Sequence, residues 1–236
     1  MTVSIVSHGH GAMVTSLLTG LATHCGSSVN VILTLNIPES LLIGASTYPF
    51  QISVIRNEAP KGFGANHNAA FKQCRSAYFC VLNPDIHFDE NPFPRLINEL
   101  RNPKVGLVAP RILNINGNIE DSARRFPTPL IILRKLFGLN SELDYMIEKE
   151  TLSPDWVAGM FMLFRKDVYA ELTGFDERYF LYYEDVDLCR RLRKRGYDAR
   201  LLPCVSAVHD ARRESRRSLR HLRWHLASML RFMATG

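Results

Sequence analysis

Short β-rich runs alternate with helical segments over the first 110 residues, and this alternation restricts the fold more than any other feature of the sequence. "TVSIVSH" and "SVNVILTLN" flank "GAMVTSLLTGLATHCG", in which Met13, Leu17, Leu18 and Leu21 recur at helical spacing and Gly26 marks the end. The three segments form a βαβ unit. The alternation continues through "QISVIRN", a helical "GANHNAAFKQCRSA", a buried strand "YFCVLN", a helix around "FPRLINELRN" and the strand "VGLVAP". Such a series predicts an α/β fold with a mostly parallel central sheet flanked by helices. Ligands of these sheets bind at the carboxyl ends of the strands. The residues at those ends are Ser7 and His8, Asn36, Arg56 and Asn57, then Asn83, Pro84 and Asp85, and they are polar at every turn.

From Asn114 to Ser153 the pattern loosens into "NINGNIEDSARRFP" and an apolar, basic "PLIILRKLFGL", read as an irregular insertion or a mobile loop. A compact segment follows, from "WVAGMFMLFRKDVYAELTGFDE" to a final strand, "ARLLPCVSAV". With 236 residues, 46% hydrophobic and 22% charged, the chain suits one globular domain. Its start, "MTVSIVSHGH", alternates as a strand and lacks a basic leader with an apolar run, so it does not read as a secretion signal. No window approaches 18 uninterrupted apolar residues. Five scattered cysteines without CxxC spacing argue against a disulfide framework or structural zinc and fit a reducing cytoplasm.

Five features carry candidate chemistry, and most have an ordinary structural explanation beside it. "LNPD" drops Asp85 at the ligand-binding edge, where it could hold a divalent metal and through it a diphosphate, although Asn-Pro-Asp is also ordinary turn chemistry. In "RNEAPKGFGANHNAA", Gly62 and Gly64 allow close backbone approach and the next helix offers its amino end to an anion, with Lys61 and Arg56 nearby. Gly-x-Gly is too short for a dinucleotide fingerprint, and Asn66 and Asn68 suit helix caps. In "YFLYYEDVDLCRRLRKRG", Glu184, Asp185 and Asp187 occupy the first turn of a helix, where acids oppose the macrodipole. That role does not explain why they directly follow Tyr179, Phe180, Tyr182 and Tyr183, an apolar surround that raises a carboxylate pKa and suits a general base. His209, ending the last strand, could supply an imidazole metal ligand, and Trp156 could be core or could stack on a sugar face beside the turn at Gly159.

Together "GFGANHN", "LNPD", "WVAGMFMLFRKDVY", "GFDERYFLYYEDVDLCRRLRKRGY" and "SAVH" occur in the order and spacing of the family 2 inverting glycosyltransferases, and most resemble the bacterial rhamnosyltransferase-like branch. The resemblance covers nearly the whole chain. It implies a GT-A fold, a nucleotide-sugar donor, a divalent cation (Mn2+ or Mg2+) and a single displacement that inverts the anomeric centre. It further implies one domain over 1–210, with a nucleotide-binding half at 1–113 and an acceptor and catalytic half at 154–210. Donor contacts are expected from Ser7, His8, Arg56, Asn57, Lys61, Gly64, Asn66 and Asp85, and acceptor contacts from Trp156, Gly159 and Glu184. Metal ligation is expected from Asp85 and His209, and the catalytic base from the Glu184–Asp185 pair, with Asp185 in that role. Two positions depart from the family pattern. Asn83 replaces the first acid of Asp-x-Asp, which predicts weak metal binding or none, and Leu35 and Asn36 stand where an Asp often reads the base, leaving dTDP-rhamnose expected only by likeness to the branch.

From Ala211 onward the chain has seven arginines and one acid, leaving 22 basic and 22 acidic residues in positions 1 to 210, so the net charge of +6 resides in the tail. Leu219, Leu222, Leu226, Met229, Leu230 and Met233 share one helical face there, giving 211–236 as a basic amphipathic helix. It suits an anionic membrane surface, or packing on the domain or on a second copy in a homo-oligomer. No recognition fold or aromatic platform accompanies the arginines, which speaks against nucleic acid. The expected partners are thus a nucleotide-sugar, a glycan or polyprenyl-linked acceptor and the inner face of the plasma membrane, in bacterial surface polysaccharide synthesis. A non-catalytic sugar-nucleotide or glycan-binding subunit of the same fold is the alternative.

Overall fold

The structure is a computed structural model that describes residues 1–40, 48–128, 144–210 and 219–235. The βαβ start forms as the spacing predicts: β1 (Thr2–Ser7), α1 (Gly11–Cys25) and β2 (Asn30–Leu35), with Gly26 ending the helix at φ 54°. There follow β3 (Ile52–Arg56), α2 (Phe63–Phe71), β4 (Tyr78–Leu82), β5 (Ile86–His87), α3 (Phe93–Glu99) and β6 (Val105–Asn114). The rest comprises β7 (Ala123–Arg124), β8 (Trp156–Val157), β9 (Phe161–Arg165), α4 (Lys166–Glu171), α5 (Glu184–Lys194), β10 (Asp198–His209) and α6 (Leu219–Ala234).

Among the described residues, eight strands make one sheet in the order β3-β2-β1-β4-β9-β6-β10-β5, with β7 and β8 forming a separate pair. Strands β1 to β4 pair in parallel, as do β6 and β10, but β9 is antiparallel to both β4 and β6, and β5 is antiparallel to β10. The sheet is therefore more mixed than the alternation predicts. The chain enters β9 beside the carboxyl end of β4, where the Asn83 N–H donates to the Met160 carbonyl at 2.9 Å, and so it runs back down the sheet.

Alternation along the strands divides the core. Cys80 and Leu82 of β4 and Phe161 and Leu163 of β9 pack with Leu17, Leu18 and Leu21 of α1 and with Phe93 and Leu96 of α3. Phe79, Val81, Met162 and Phe164 face the other way, against Val168 and Tyr169 of α4 and Val186, Leu188 and Leu192 of α5. Helices thus cover both faces. Within the described part of the expected loop after Asn114, the chain turns at Gly117 (φ 78°), bridges Leu113 to Ile119 and pairs β7 with β8. "PLIILRKLFGL" lies outside the described residues. All five cysteines are free thiols, four of them buried.

Candidate active site

At the carboxyl end of β4, Asp85 meets His209 from the end of β10, with Oδ2 3.2 Å from Nε2. The other ring nitrogen, Nδ1, lies 2.8 Å from Glu120 Oε2. Burial disfavours charge on this ring, but the hydrogen bonds and charges of Asp85 and Glu120 outweigh it and raise the pKa to about 9. Without a metal, the imidazolium is the cation between two carboxylates. Among the described residues no three His, Cys, Asp or Glu side chains form a ready metal cage, because Asp85 and Glu120 stand on opposite sides of the ring. The donor set nevertheless fits a hard divalent cation that also takes oxygens from a substrate diphosphate. Asp85 Oδ1 is buried with no partner among the described residues, and Glu120 can hold the Nδ1–H while Nε2 offers its lone pair.

The carboxylate helix α5 lies across the same edge. Asp185 Oδ2 accepts the Gly159 N–H at 3.0 Å and Oδ1 accepts the Val186 N–H at 2.8 Å. Burial raises its pKa, opposed by these two amides and by Arg124. Glu184 is 5% exposed, its Oε2 has no partner among the described residues, and burial followed by the Asp185 charge pushes its carboxyl well above the ordinary range. Glu184 therefore keeps the pair's proton, while Asp185, partly exposed and better solvated by backbone amides, carries the charge. Asp187 is structural: it binds Arg190 at 3.1 Å and Arg191 at 2.7 Å, and Arg191 ties down the Leu172 and Gly174 carbonyls. Gly159 and Met160 join Asp185 to Asn83 and hence to the Asp85 turn.

The loop before α5 is strained, with Tyr182 (φ 69°) and Tyr183 (φ 67°) both left-handed. Each such residue costs on the order of 1–3 kcal/mol unless its surroundings hold it. Helix α6 supplies that hold: Ser228 donates to the Leu181 carbonyl at 2.9 Å, Tyr182 Oη lies 2.9 Å from His221 Nδ1, His225 meets both tyrosine rings, and Trp224 stacks on Phe180.

The expected donor residues divide into exposed groups and supports. Arg56 and Lys61 are exposed, as is His8. Ser7 is buried, its Oγ accepting the His10 N–H at 3.1 Å. Asn57 and Asn66 are buried in an amide network with Asn36 that fixes the Lys61–Gly62 backbone. Neither Asn66 nor Asn68 caps α2; Asn68 instead binds Phe175 and Tyr169. The two glycines serve packing. A Cβ on Gly62 would lie 2.6 Å from the Phe180 carbonyl oxygen, and one on Gly64 2.5 Å from Phe175 Cβ. The first amide of α2, Phe63 N–H, donates to that same Phe180 carbonyl at 2.9 Å and is not free for an anion. Trp156 is buried, donates Nε1–H to the Arg125 carbonyl at 2.9 Å, and has Arg124 over its ring. Sequence reasoning missed Glu120, Arg124 and the inward residues of α6. Glu120 and Arg124 lie in a polar stretch without periodicity, and only the return of that stretch to the sheet edge gives them a role.

The sequence pattern described as "Glycosyl transferase family 2" matches residues 36–173. This chain belongs to that family. Among curated relatives, "Rhamnosyltransferase WbbL" of Escherichia coli (strain K12) is 29% identical over 245 residues, covering 98% of this chain and 91% of its own. An "N-acetylglucosaminyl-diphospho-decaprenol L-rhamnosyltransferase" of Mycobacterium tuberculosis is 31% identical over 166 residues, 65% of this chain and 54% of that protein. This glycosyltransferase chain thus aligns with about half of the mycobacterial protein. Solved structures share the fold at low identity. GalNAc-T7 with UDP, GalNAc and Mn2+ has a TM-score of 0.69 at 14% identity, over 89% of this chain and 44% of that one. The mannosyltransferase PcManGT of Pyrobaculum calidifontis, in complex with GDP-Man and Mn2+, has 0.65 at 16%, over 98% and 64%. The fold is GT-A, as the sequence motifs imply.

Proposed function

We propose that the chain is an inverting glycosyltransferase that moves rhamnose from dTDP-rhamnose to a glycan or polyprenyl-linked acceptor in bacterial surface polysaccharide synthesis. The observation that carries this reading is the approach of two separate carboxylate centres at one sheet edge, Asp85 with His209 and Asp185 with Gly159, linked through Met160 and Asn83. Asp185 takes the proton of the acceptor hydroxyl as its oxygen bonds to the anomeric carbon. The bond from that carbon to the diphosphate breaks on the opposite face, its electron pair leaves with the nucleoside diphosphate, and the configuration inverts. Asp85 and His209 would hold Mn2+ or Mg2+, which when bound offsets charge on the diphosphate. Gly159 and Val186 hold Asp185 in place, and neutral Glu184 adds no second charge beside it.

The arginines and outward leucines of 211–236 support an acceptor met at the anionic inner face of the plasma membrane, with the enzyme peripheral and cytoplasmic. The rhamnosyltransferases named above support the choice of sugar. Thermal-shift measurements against nucleotide sugars, with and without Mn2+ or Mg2+, should give the largest stabilisation with dTDP-rhamnose, following RT ln(1 + [L]/Kd). Asp185→Asn should retain that stabilisation and lose about 10²- to 10⁴-fold in turnover. No response to any donor, or undiminished turnover in Asp185→Asn, would defeat the proposal.

A further inference from the structure

The amide of Asn36, just after β2, has one possible orientation because both its ends bind the same backbone unit. Its Oδ1 accepts the Lys61 N–H at 2.8 Å and its Nδ2 donates to the Lys61 carbonyl at 3.0 Å. The second hydrogen of Nδ2 points to His8 Nδ1, 3.1 Å away. His8 Nδ1 must therefore present a lone pair, which leaves the ring proton on Nε2. The neighbouring amides fix the same answer. Asn57 Nδ2 donates to Asn36 Oδ1 at 2.9 Å and to Asn66 Oδ1 at 2.7 Å, and Asn66 Nδ2 donates to the carbonyls of Lys61 at 3.2 Å and Gly62 at 3.0 Å. Turning any one amide over would set donor against donor or oxygen against oxygen. Partial burial, His10 and Arg220 hold the ring below its ordinary pKa against the pull of Glu39, so the uncharged form is the relevant one.

Within this cluster each amide hydrogen of Asn36, Asn57 and Asn66 is engaged, while no described residue accepts from His8 Nε2 and the side chain is exposed at the carboxyl end of β1. An uncharged donor lacks the charge pairing that a lysine or arginine would bring to a diphosphate, so the ring is not committed to that group. Strand β1 stands next to β4, and β2 one strand further on, at about 4.8 Å per strand. A nucleotide whose diphosphate lies at Asp85 would thus bring its base toward β1 and β2. The edge that separates nucleobases is the 4-position of pyrimidines and the 6-position of purines, a keto acceptor in uracil, thymine and guanine and an amino donor in cytosine and adenine.

We propose that His8 Nε2–H reads this keto oxygen, so that the buried asparagine network makes the site select keto-bearing bases over amino-bearing ones. The inference rests on the nucleotide-sugar reading above. UDP and CDP differ at position 4 and in the N3 proton beside it, which makes them the probes, with His8→Phe isolating the contribution of the 4-position. Calorimetric titration of the full chain at fixed Mg2+ should show UDP and dTDP binding about tenfold more tightly than CDP, the difference a neutral hydrogen bond supports. His8→Phe, which keeps a ring and removes the N–H, should erase that ratio by weakening UDP and dTDP. A long-range 1H–15N spectrum of the imidazoles should place the His8 proton on Nε2. Equal binding of UDP and CDP by the unaltered protein, a ratio that survives His8→Phe, or a proton on Nδ1 would each overturn the inference. Failure of all three nucleotides to bind would overturn the nucleotide-sugar reading instead, while the spectrum still decides the tautomer.

Discussion

His209 sits between Asp85 and Glu120 with its pKa raised to about 9, against about 6.5 in an unfolded chain. A pKa raised on folding means that the folded state binds the proton more tightly. In the metal-free protein the contribution to stability is therefore complete below about pH 6.5 and is lost as pH rises through about 9. Urea titrations across this window should show the fall, and His209→Gln should flatten it. A metal needs the neutral ring, so Mn2+ binding near pH 7.5 should release close to one proton, measurable as a dependence of the binding heat on the buffer's ionisation enthalpy. Glu120→Ala should weaken Mn2+ binding by about 10- to 100-fold, and Glu120→Gln by less, since an amide oxygen still accepts the Nδ1–H. Unchanged affinity in Glu120→Ala would remove Glu120 from the site. Asp85 and His209 were legible in the sequence because each ends a recognisable strand. Glu120 was not, because the turn at Gly117 folds it back along β6 and its partner, His209, lies 89 positions further on.

Helix α6 has two faces with different duties. His221, Trp224, His225, Ser228 and Phe232 face the strained loop before Glu184, whereas Leu219, Leu222, Leu226 and Leu230 are 80%, 54%, 44% and 66% exposed. The 3.6-residue period made the leucine stripe legible. It did not show that the stripe points outward, since the inward aromatic and polar side chains of the helix meet partners far back in the chain, at Phe180, Leu181, Tyr182 and Tyr183. Exposed Arg220, Arg223 and Arg231 lie on the same helix, and each cation near an anionic surface contributes about 1 kcal/mol. The protein should co-sediment with vesicles containing phosphatidylglycerol, less so as salt rises. Leu222→Glu with Leu226→Glu should abolish this while shifting Tm by no more than about 2 °C, because neither side chain is buried in the protein. Deleting the helix is a poorer test, for it also uncovers Tyr182 and Tyr183. Full vesicle binding by the double variant would assign the stripe to something other than a lipid surface.

The alternation of strands and helices made the sheet and its two covered faces legible, since periods of 2 and 3.6 are local properties of the chain. Strand order is not local. Nothing in "FMLFR" announces that β9 lies between β4 and β6, yet this insertion joins residues 161–165 to strands formed before residue 115. The nucleotide-binding and acceptor halves expected from the motifs therefore share one sheet, and Phe161 and Leu163 of the later half pack in the same core as Leu17 of the earlier one. Neither half can lose its packing without exposing the other. Unfolding in urea should accordingly be a single transition, with tryptophan fluorescence and far-ultraviolet circular dichroism coincident. Leu17→Ala, under α1, and Leu188→Ala, on α5, are 1% and 0% exposed and lie on opposite faces of the sheet. Each should cost about 2–5 kcal/mol and lower the one common midpoint. Being far apart, they should add in the double variant to within about 0.5 kcal/mol. Two separated transitions, with each substitution moving only one, would mean that the halves fold independently and that β9 contributes little to their union.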